Sequence, residues 1–352
     1  MIESMLQSTA QWLDAEGPNA DIVLSTQCRL LRNLADYPFP GQCTPEEKKT
    51  IEASVLAVLG SMNFMADGHY YTLPDIDETE AHVLHERRLI SQKLIESEGP
   101  RGIYIREDQS FSLSINDSDH LALVSLASGQ QLQDIWNSTS LTDDTLAGIL
   151  DFAFDSKHGY LTSHLANTGT GLQFSAVLHL PALTMNNEMS KSMKTIPQGP
   201  NACLVRPEYS EYGSAIGDFF HFASVHTLGQ SELETLYHFT QTIEQVVRQE
   251  KDTRKQILDT DFVQLEDRIE RALALARNAR LLAFDEGLGV LSSLRLGVST
   301  GLLKGYTLST LNETGVIAQD AHIRLNYGDS CDDNICNTQR AYLFRDRFAE
   351  IT

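Results

Sequence analysis

The 352-residue sequence predicts an α+β fold, a mixed domain of strands and helices followed by a smaller helical domain. Three observations carry this. Leu172, Phe174, Ala176, Leu178 and Leu180 alternate with other residues, the period of a half-buried strand. Residues 101–116 read as a hairpin, with Ile103 and Ile105, a turn near Glu107-Asp108-Gln109, then Phe111, Leu113 and Ile115 in alternation. From Lys251 onward the strand signals fade and apolar residues recur at helical spacing. The division is placed at residues 1–255 and 256–352, with order expected from about residue 20.

In chain order, the first strand is expected at Ile22-Val23-Leu24-Ser25 and beyond, ending by Tyr37-Pro38-Phe39-Pro40. Thr44-Pro45-Glu46-Glu47 opens a helix: an N-cap, a proline at the first helical position and a glutamate three residues after the cap. Ile51, Val55 and Val58 mark its apolar face. After the hairpin, Leu146, Ile149, Leu150 and Ala153 suggest a helix over roughly 141–154. Strands follow at 172–180, at Cys203-Leu204-Val205 and within Asp218–His226. Ser231-Glu232-Leu233-Glu234 is a capping box for a helix through about Gln249. Phe262, Leu265, Ile269, Leu273 and Ala276 share a face, read as core or a dimer seam, and a second helical segment runs from Asp285 to about Leu303. Residues 326–337 are polar and read as a loop.

Composition narrows the function. A net charge of -21 repels phosphates, so no nucleic-acid or anionic-membrane partner is expected. No secretory signal or membrane-length apolar run is visible, and five cysteines are few and odd in number, so a reducing cytoplasm is expected. No metal site is predicted. His82 and His85 have ligand-like spacing but no third ligand, and the same holds for Cys331 and Cys336.

Before the 172–180 strand lies Asn167-Thr168-Gly169-Thr170-Gly171, a loop whose backbone can approach a ligand closely. With its neighbours it resembles the Cys-Pro-x-Asn-x-Gly-Thr-Gly signature of the phosphagen (guanidino) kinases, with His164 at the cysteine, Leu165 at the proline and Gln173 at a following arginine. Residues 21–40, 86–91, 115–121, 150–181, 205–217 and 228–229 match, in order, the bacterial protein-arginine kinases of the McsB type, and 256–352 resembles their C-terminal domain. The resemblance implies a phosphagen-kinase-like catalytic domain, an antiparallel sheet flanked by helices, with a helical C-terminal domain. It also implies transfer of the γ-phosphoryl of Mg-ATP to an arginine guanidinium, through an arginine clamp on the phosphates and carboxylates that bind and deprotonate the acceptor.

Carried over residue by residue, the nucleotide-binding positions are Ser25, Gln27, Arg29, Arg88, Ala122, Gln173 and Arg206, with glutamine, alanine and glutamine where the family has clamp arginines. The guanidinium-binding acids are replaced by Ser118 and Ser214, while Asp117, Asp119 and Glu211 remain as carboxylates. In the C-terminal domain, the phosphoarginine-binding motif Arg-Asp-x-x-Arg-Ala aligns with Cys336, Asn337, Thr338, Gln339, Arg340 and Ala341, so its first arginine and its aspartate are gone. Losing one preorganised donor costs about 10²–10³ in rate and an arginine finger about 10³–10⁵, and such losses are not additive. Because clamp, acids and loop cysteine change together, the resemblance implies a pseudokinase that needs no cofactor and serves as a scaffold or regulatory binding protein in a protein quality-control system. The alternative is an active ATP-dependent protein-arginine phosphotransferase using Mg-ATP, with Asp117, Asp119 or Glu211 as base and His164 assisting. Implied partners are a second copy or a paralogue, a McsA-type zinc-binding activator and a Clp unfoldase. On composition alone, Arg29 and Arg206 also read as surface partners of the 48 acidic residues, and His164 as a filler of the cysteine's space.

Overall fold

A computed structural model of the chain describes residues 5, 8–61, 66–197, 199–211, 214–327 and 332–349. Its centre is an antiparallel sheet of eight strands: β1 (Val23–Arg32), β2 (Gly68–Thr72), β3 (Gly102–Arg106), β4 (Phe111–Ile115), β5 (Leu121–Ser128), β6 (Leu172–His179), β7 (Cys203–Pro207) and β8 (Phe219–Ser224). They lie in the order β2-β3-β4-β5-β1-β6-β8-β7, and every pairing is antiparallel. Side chains alternate between faces along each strand. One face carries Cys28, Leu30, Leu123, Phe174 and Phe222 into a core covered by α1 (Pro45–Ser61), α2 of the packed layer (Leu132–Ala147) and α3 (Glu232–Thr260). The other face is covered over its β3–β5 side by Trp12, Leu84, Leu89 and Leu94, and is left more open over β1, β6, β8 and β7.

The helical domain comprises α4 (Phe262–Asn278), α5 (Phe284–Thr300), α6 (Leu308–Ile317), α7 (Asp320–Tyr327) and α8 (Asp333–Arg347), with its own core around Leu265, Ile269, Leu294 and Phe344. α3 crosses residue 255 without a break. It ends at Thr260, not at Gln249, because nothing after Gln249 stops a helix and Glu250 bonds to Arg254 one turn on at 2.8 Å. The buried Glu250 carboxylate also accepts from the backbone N–H groups of Ala182 and Leu183, and Arg254 reaches Asp21 at 3.1 Å. The two cores are thus joined by a buried ionic tie.

The capping boxes expected at Thr44 and Ser231 form as read, and Ile51, Val55 and Val58 are buried. Three local expectations change. The helix expected over 141–154 is α2, from Leu132 to Ala147, and Ile149 beyond it is exposed; Leu132, Ile135 and Leu146 are the buried register. Residues 332–337 are not loop: the Asp332 side chain accepts from the Ile335 N–H and starts α8, while Cys331 lies outside the described residues. Order also begins before residue 20, since Ala10, Trp12 and Leu13 are buried against the sheet.

His120 is fully buried, with Nδ1 accepting from the Leu34 N–H at 3.0 Å, and burial pushes its pKa from 6.5 down to about 4. The unfolded chain takes up this proton at higher pH than the folded chain does. Stability from neutral His120 is therefore complete above about pH 6.5 and is lost as pH falls toward 4. The thermal midpoint is expected to fall between pH 7 and pH 5, and to fall less in a His120→Gln variant. Equal slopes for the two proteins in melts followed by circular dichroism would refute this role.

Candidate functional site

Strand register decides which side chains meet. Across β1, Gln27 pairs with Leu126 of β5 and Ser175 of β6, and Arg29 pairs with Val124 and Gln173. Leu31 pairs with Ala122, and Ser25 with Val177. Val177 in turn faces His221 of β8, which faces Arg206 of β7. Directly paired residues share a face, so Ser25, Gln27, Arg29, Ala122, Gln173 and Arg206 all project from the face opposite Cys28. The fold therefore gathers six of the seven proposed nucleotide positions, and the seventh, Arg88, reaches the same face from the turn after Glu86.

The charges on this face are sparse. Gln27 Oε1 accepts from Ser175 Oγ at 3.0 Å, and Gln173 Nε2 donates to the Ser224 carbonyl at 3.4 Å, so both amides are engaged with the sheet. Ala122 is 2 % exposed and offers a methyl. Among the described residues, Arg29 and Arg206 have no ion-pair or hydrogen-bond partner. Arg88 pairs with Glu208 at 2.6 Å and lies 3.4 Å from Ser25 Oγ and 5.3 Å from the centre of the Trp12 ring. Burial opposes its charge, but Glu208 and Tyr209 outweigh burial and hold its pKa above the ordinary value. Burial pushes His221 down to about 4, with Glu208 opposing and Arg88 and Arg206 adding to the shift. His221 is therefore neutral at pH 7, and among the described residues its buried Nδ1 has no partner.

The acceptor side is differently occupied. Asp117 Oδ1 accepts from the Ser118 N–H at 2.6 Å and Oδ2 from Ser91 Oγ at 2.8 Å, which fixes the carboxylate in the 116–120 turn. Asp119 Oδ1 accepts from Asn33 Nδ2 and the Ser163 N–H, each at 2.7 Å, and so ties β1 to the segment that leads to the glycine loop. Ser118 is half-buried, and its Oγ sits 3.4 Å from Asp117 Oδ1. His164 is exposed at the start of a short 3-10 turn, Leu165–Asn167. The backbones at Glu211 and Ser214 pair in a two-residue ribbon; their side chains, with Tyr212 and Gly213, lie outside the described residues.

The glycine loop is held by a residue that no motif singles out. Arg32, fully buried at the end of β1, donates to Asp143 Oδ2 from Nε at 3.2 Å and from Nη2 at 2.7 Å, and to the Thr170 carbonyl at 2.8 Å. Its guanidinium lies 3.6 Å from the centre of the Tyr160 ring. Thr227 closes the loop from the other side, its carbonyl accepting from the Thr170 N–H at 2.9 Å. Gly169 has φ 121°, and a Cβ there would lie 2.1 Å from the Thr227 carbonyl oxygen, so only glycine fits. The only sequence-level hint was that Arg32 continues the alternation of β1 at a position where a charge should not be buried.

In the C-terminal domain, Arg340 is 1 % exposed and fully engaged: it donates to the carbonyls of Ala318 at 2.7 Å and Leu282 at 3.0 Å and to Asn337 Oδ1 at 2.7 Å, and it pairs with Asp320. Cys336 is buried beside it. The Arg340 guanidinium thus braces α8 against α7 and the α4–α5 connection. The cleft of about 560 Å³ between the Glu78–Glu86 helix and α7 is lined by His82, His85 and Asp320, but no group of three potential metal ligands occurs among the described residues. The four described cysteines, Cys28, Cys43, Cys203 and Cys336, form no disulfide with one another, and no described helix is long and apolar enough to cross a membrane.

Replacing Arg32 with methionine is expected to cost about 3–5 kcal/mol in urea unfolding, because the Asp143 charge would be left buried without its partner. A cost under about 1 kcal/mol would show that the loop is anchored elsewhere.

Comparison with known proteins places this geometry. Residues 50–253 match the model of the ATP:guanido phosphotransferase C-terminal catalytic domain, and residues 263–352 match that of the protein-arginine kinase McsB C-terminal domain. A protein-arginine kinase of Halalkalibacterium halodurans is 34% identical over 348 residues, 97% of this chain and 96% of the relative. One from Symbiobacterium thermophilum is 33% identical over 350 residues, 99% of each. Among solved structures, lombricine kinase superposes with a TM-score of 0.59 at 19% identity, over 74% of this chain and 76% of that one. A duplicated taurocyamine kinase from Schistosoma mansoni gives 0.58 at 20% identity, over 69% and 36%. At these identities the two structures support the fold alone.

Proposed function

The chain belongs to the protein-arginine kinase family, and from that premise we propose that it is a pseudokinase kept as a scaffold or regulatory binding protein. The observation that carries the reading is the neutral character of the sheet face at Gln27, Ala122 and Gln173. These side chains stand on strands β1, β5 and β6 in one register, where they would have to meet a triphosphate. Two are hydrogen-bonded amides and one is a buried methyl, so none supplies charge where phosphoryl transfer needs it most. A net charge of -21 adds a repelling field that the unpaired Arg29 and Arg206 must first overcome. The residues present do not fit Mg-ATP as a working cofactor.

The acceptor side supports the same reading. An arginine guanidinium must lose a proton before it can attack, and Ser118 is no base. Asp117 is held by donors on both oxygens and Asp119 by donors on Oδ1, its Oδ2 being buried with no hydrogen-bond partner among the described residues. Arg340, which would face the phosphate in a phosphoarginine pocket, has its donors committed within the domain. Retention of both folded units without this chemistry favours protein contacts as the selected function. As partners we propose a second copy or an active paralogue, a McsA-type activator and a Clp unfoldase, in the cytoplasm.

Calorimetry with Mg-ATP at moderate salt is expected to give no binding in the low micromolar range. Incubation with Mg-ATP and an arginine-rich protein, with and without the activator, is expected to leave no acid-labile phosphate on arginine. Transfer that Arg29→Ala abolishes would overturn the pseudokinase reading.

A further inference from the structure

The Arg88–Glu208 ion pair lies where a ligand of the sheet face would lie. Ser25, Val177, His221 and Arg206 form one row across β1, β6, β8 and β7, spanning three strand spacings, roughly 14 Å. Arg88 contacts the Ser25 end of this row, and Glu208, two residues beyond Arg206 on the same side of its strand, reaches back to meet it. The pair therefore bridges the row over Val177 and His221. Both partners are mostly withdrawn from water, with side chains 19% and 14% exposed.

The turn that carries Arg88 is built to hold it there. Arg88 has φ 62°, a left-handed conformation that a non-glycine side chain adopts at a cost. The two residues before it are fixed on the other side. Glu86 accepts from the Ala321 and His322 N–H groups at the start of α7, and Arg87 donates to Gln109 Oε1 at 2.9 Å and to His322 Nε2 at 3.1 Å. Arg88 is thereby pre-positioned over the sheet. Glu208 has one oxygen on Arg88, while its other, Oε2, is buried with no hydrogen-bond partner among the described residues. A carboxylate half-satisfied among Arg88, Arg206 and a neutral histidine is the arrangement that an anionic ligand group would otherwise complete.

We propose that Glu208 is an internal occupant of the sheet face: its carboxylate neutralises Arg88 and blocks anionic ligands, so the site is closed by an ion pair as well as weakened by lost arginines. This rests on the pseudokinase reading and adds a cause of weak binding that one substitution can remove. Without the Glu208 charge, Arg88, still hydrogen-bonded to the neutral Tyr209, joins Arg29 and Arg206 as a third cation on one face with no carboxylate partner.

The test is calorimetry of the full chain with Mg-ATP, comparing wild type, Glu208→Gln and Glu208→Met. Both variants are expected to bind at least about tenfold more tightly than wild type, and the gain is expected to vanish when Arg88→Gln is added. Folded variants that bind no better than wild type would overturn the proposal, as would a gain that survives Arg88→Gln. Loss of folding in both variants would also overturn it, since the pair would then be a brace for the fold and not a plug in a site. Phosphate on arginine from the wild-type protein would refute the pseudokinase reading instead, so the two failures are distinguishable.

Discussion

Strand β1 is bonded on one side to β5 and on the other to β6, and this double antiparallel register is the constraint from which the rest of the structure follows. Because side chains alternate with a period of two, a one-residue slip would send Cys28 and Leu30 to the open face and Gln27 and Arg29 into the core. The apolar contacts of Cys28, Leu30, Phe174 and Leu123 forbid that slip. The same contacts that stabilise the core thereby fix which residues can meet on the opposite face. At the end of β1 the buried Arg32 locks the register to Asp143 on α2 and to the glycine loop at Thr170. A charged brace of this kind specifies an arrangement more than it stabilises one, since desolvation offsets much of its attraction.

Cations are the scarce resource on this acidic chain, and most of the buried ones serve the fold. Arg32 holds a loop, Arg254 joins the two cores, and Arg340 braces the helical domain. Arg295 is fully buried and bonded to the Ala20 carbonyl and to Asn312. Burial lowers its pKa to about 9, with nearby Arg254 adding to the shift and Asp21 opposing it. Among the described residues, the arginines of the open face without an ion-pair partner are Arg29 and Arg206, flanked by a third already matched to a carboxylate. The shape of this face comes from the apolar register, whereas charge on an open face is not needed to fold.

The sequence by itself determined the α+β class, the capping boxes at Thr44 and Ser231, the hairpin over 101–116 and the family, since these rest on local chemistry and on ordered motifs. Element ends were less legible where a single side chain decides them, as at the Asp332 cap. Tertiary structure alone decided how each charged side chain is used. Arg340 reads in sequence as half of a binding motif and in space as a brace; Arg88 reads as a substitute near a ligand and is already paired with a residue 120 positions away. Arg32 carried no functional signal and anchors the glycine loop. The physical reason is that apolar periodicity is written along the chain, whereas a charge takes its role from its nearest opposite charge, and that neighbour is supplied by strand register and by the approach of distant segments.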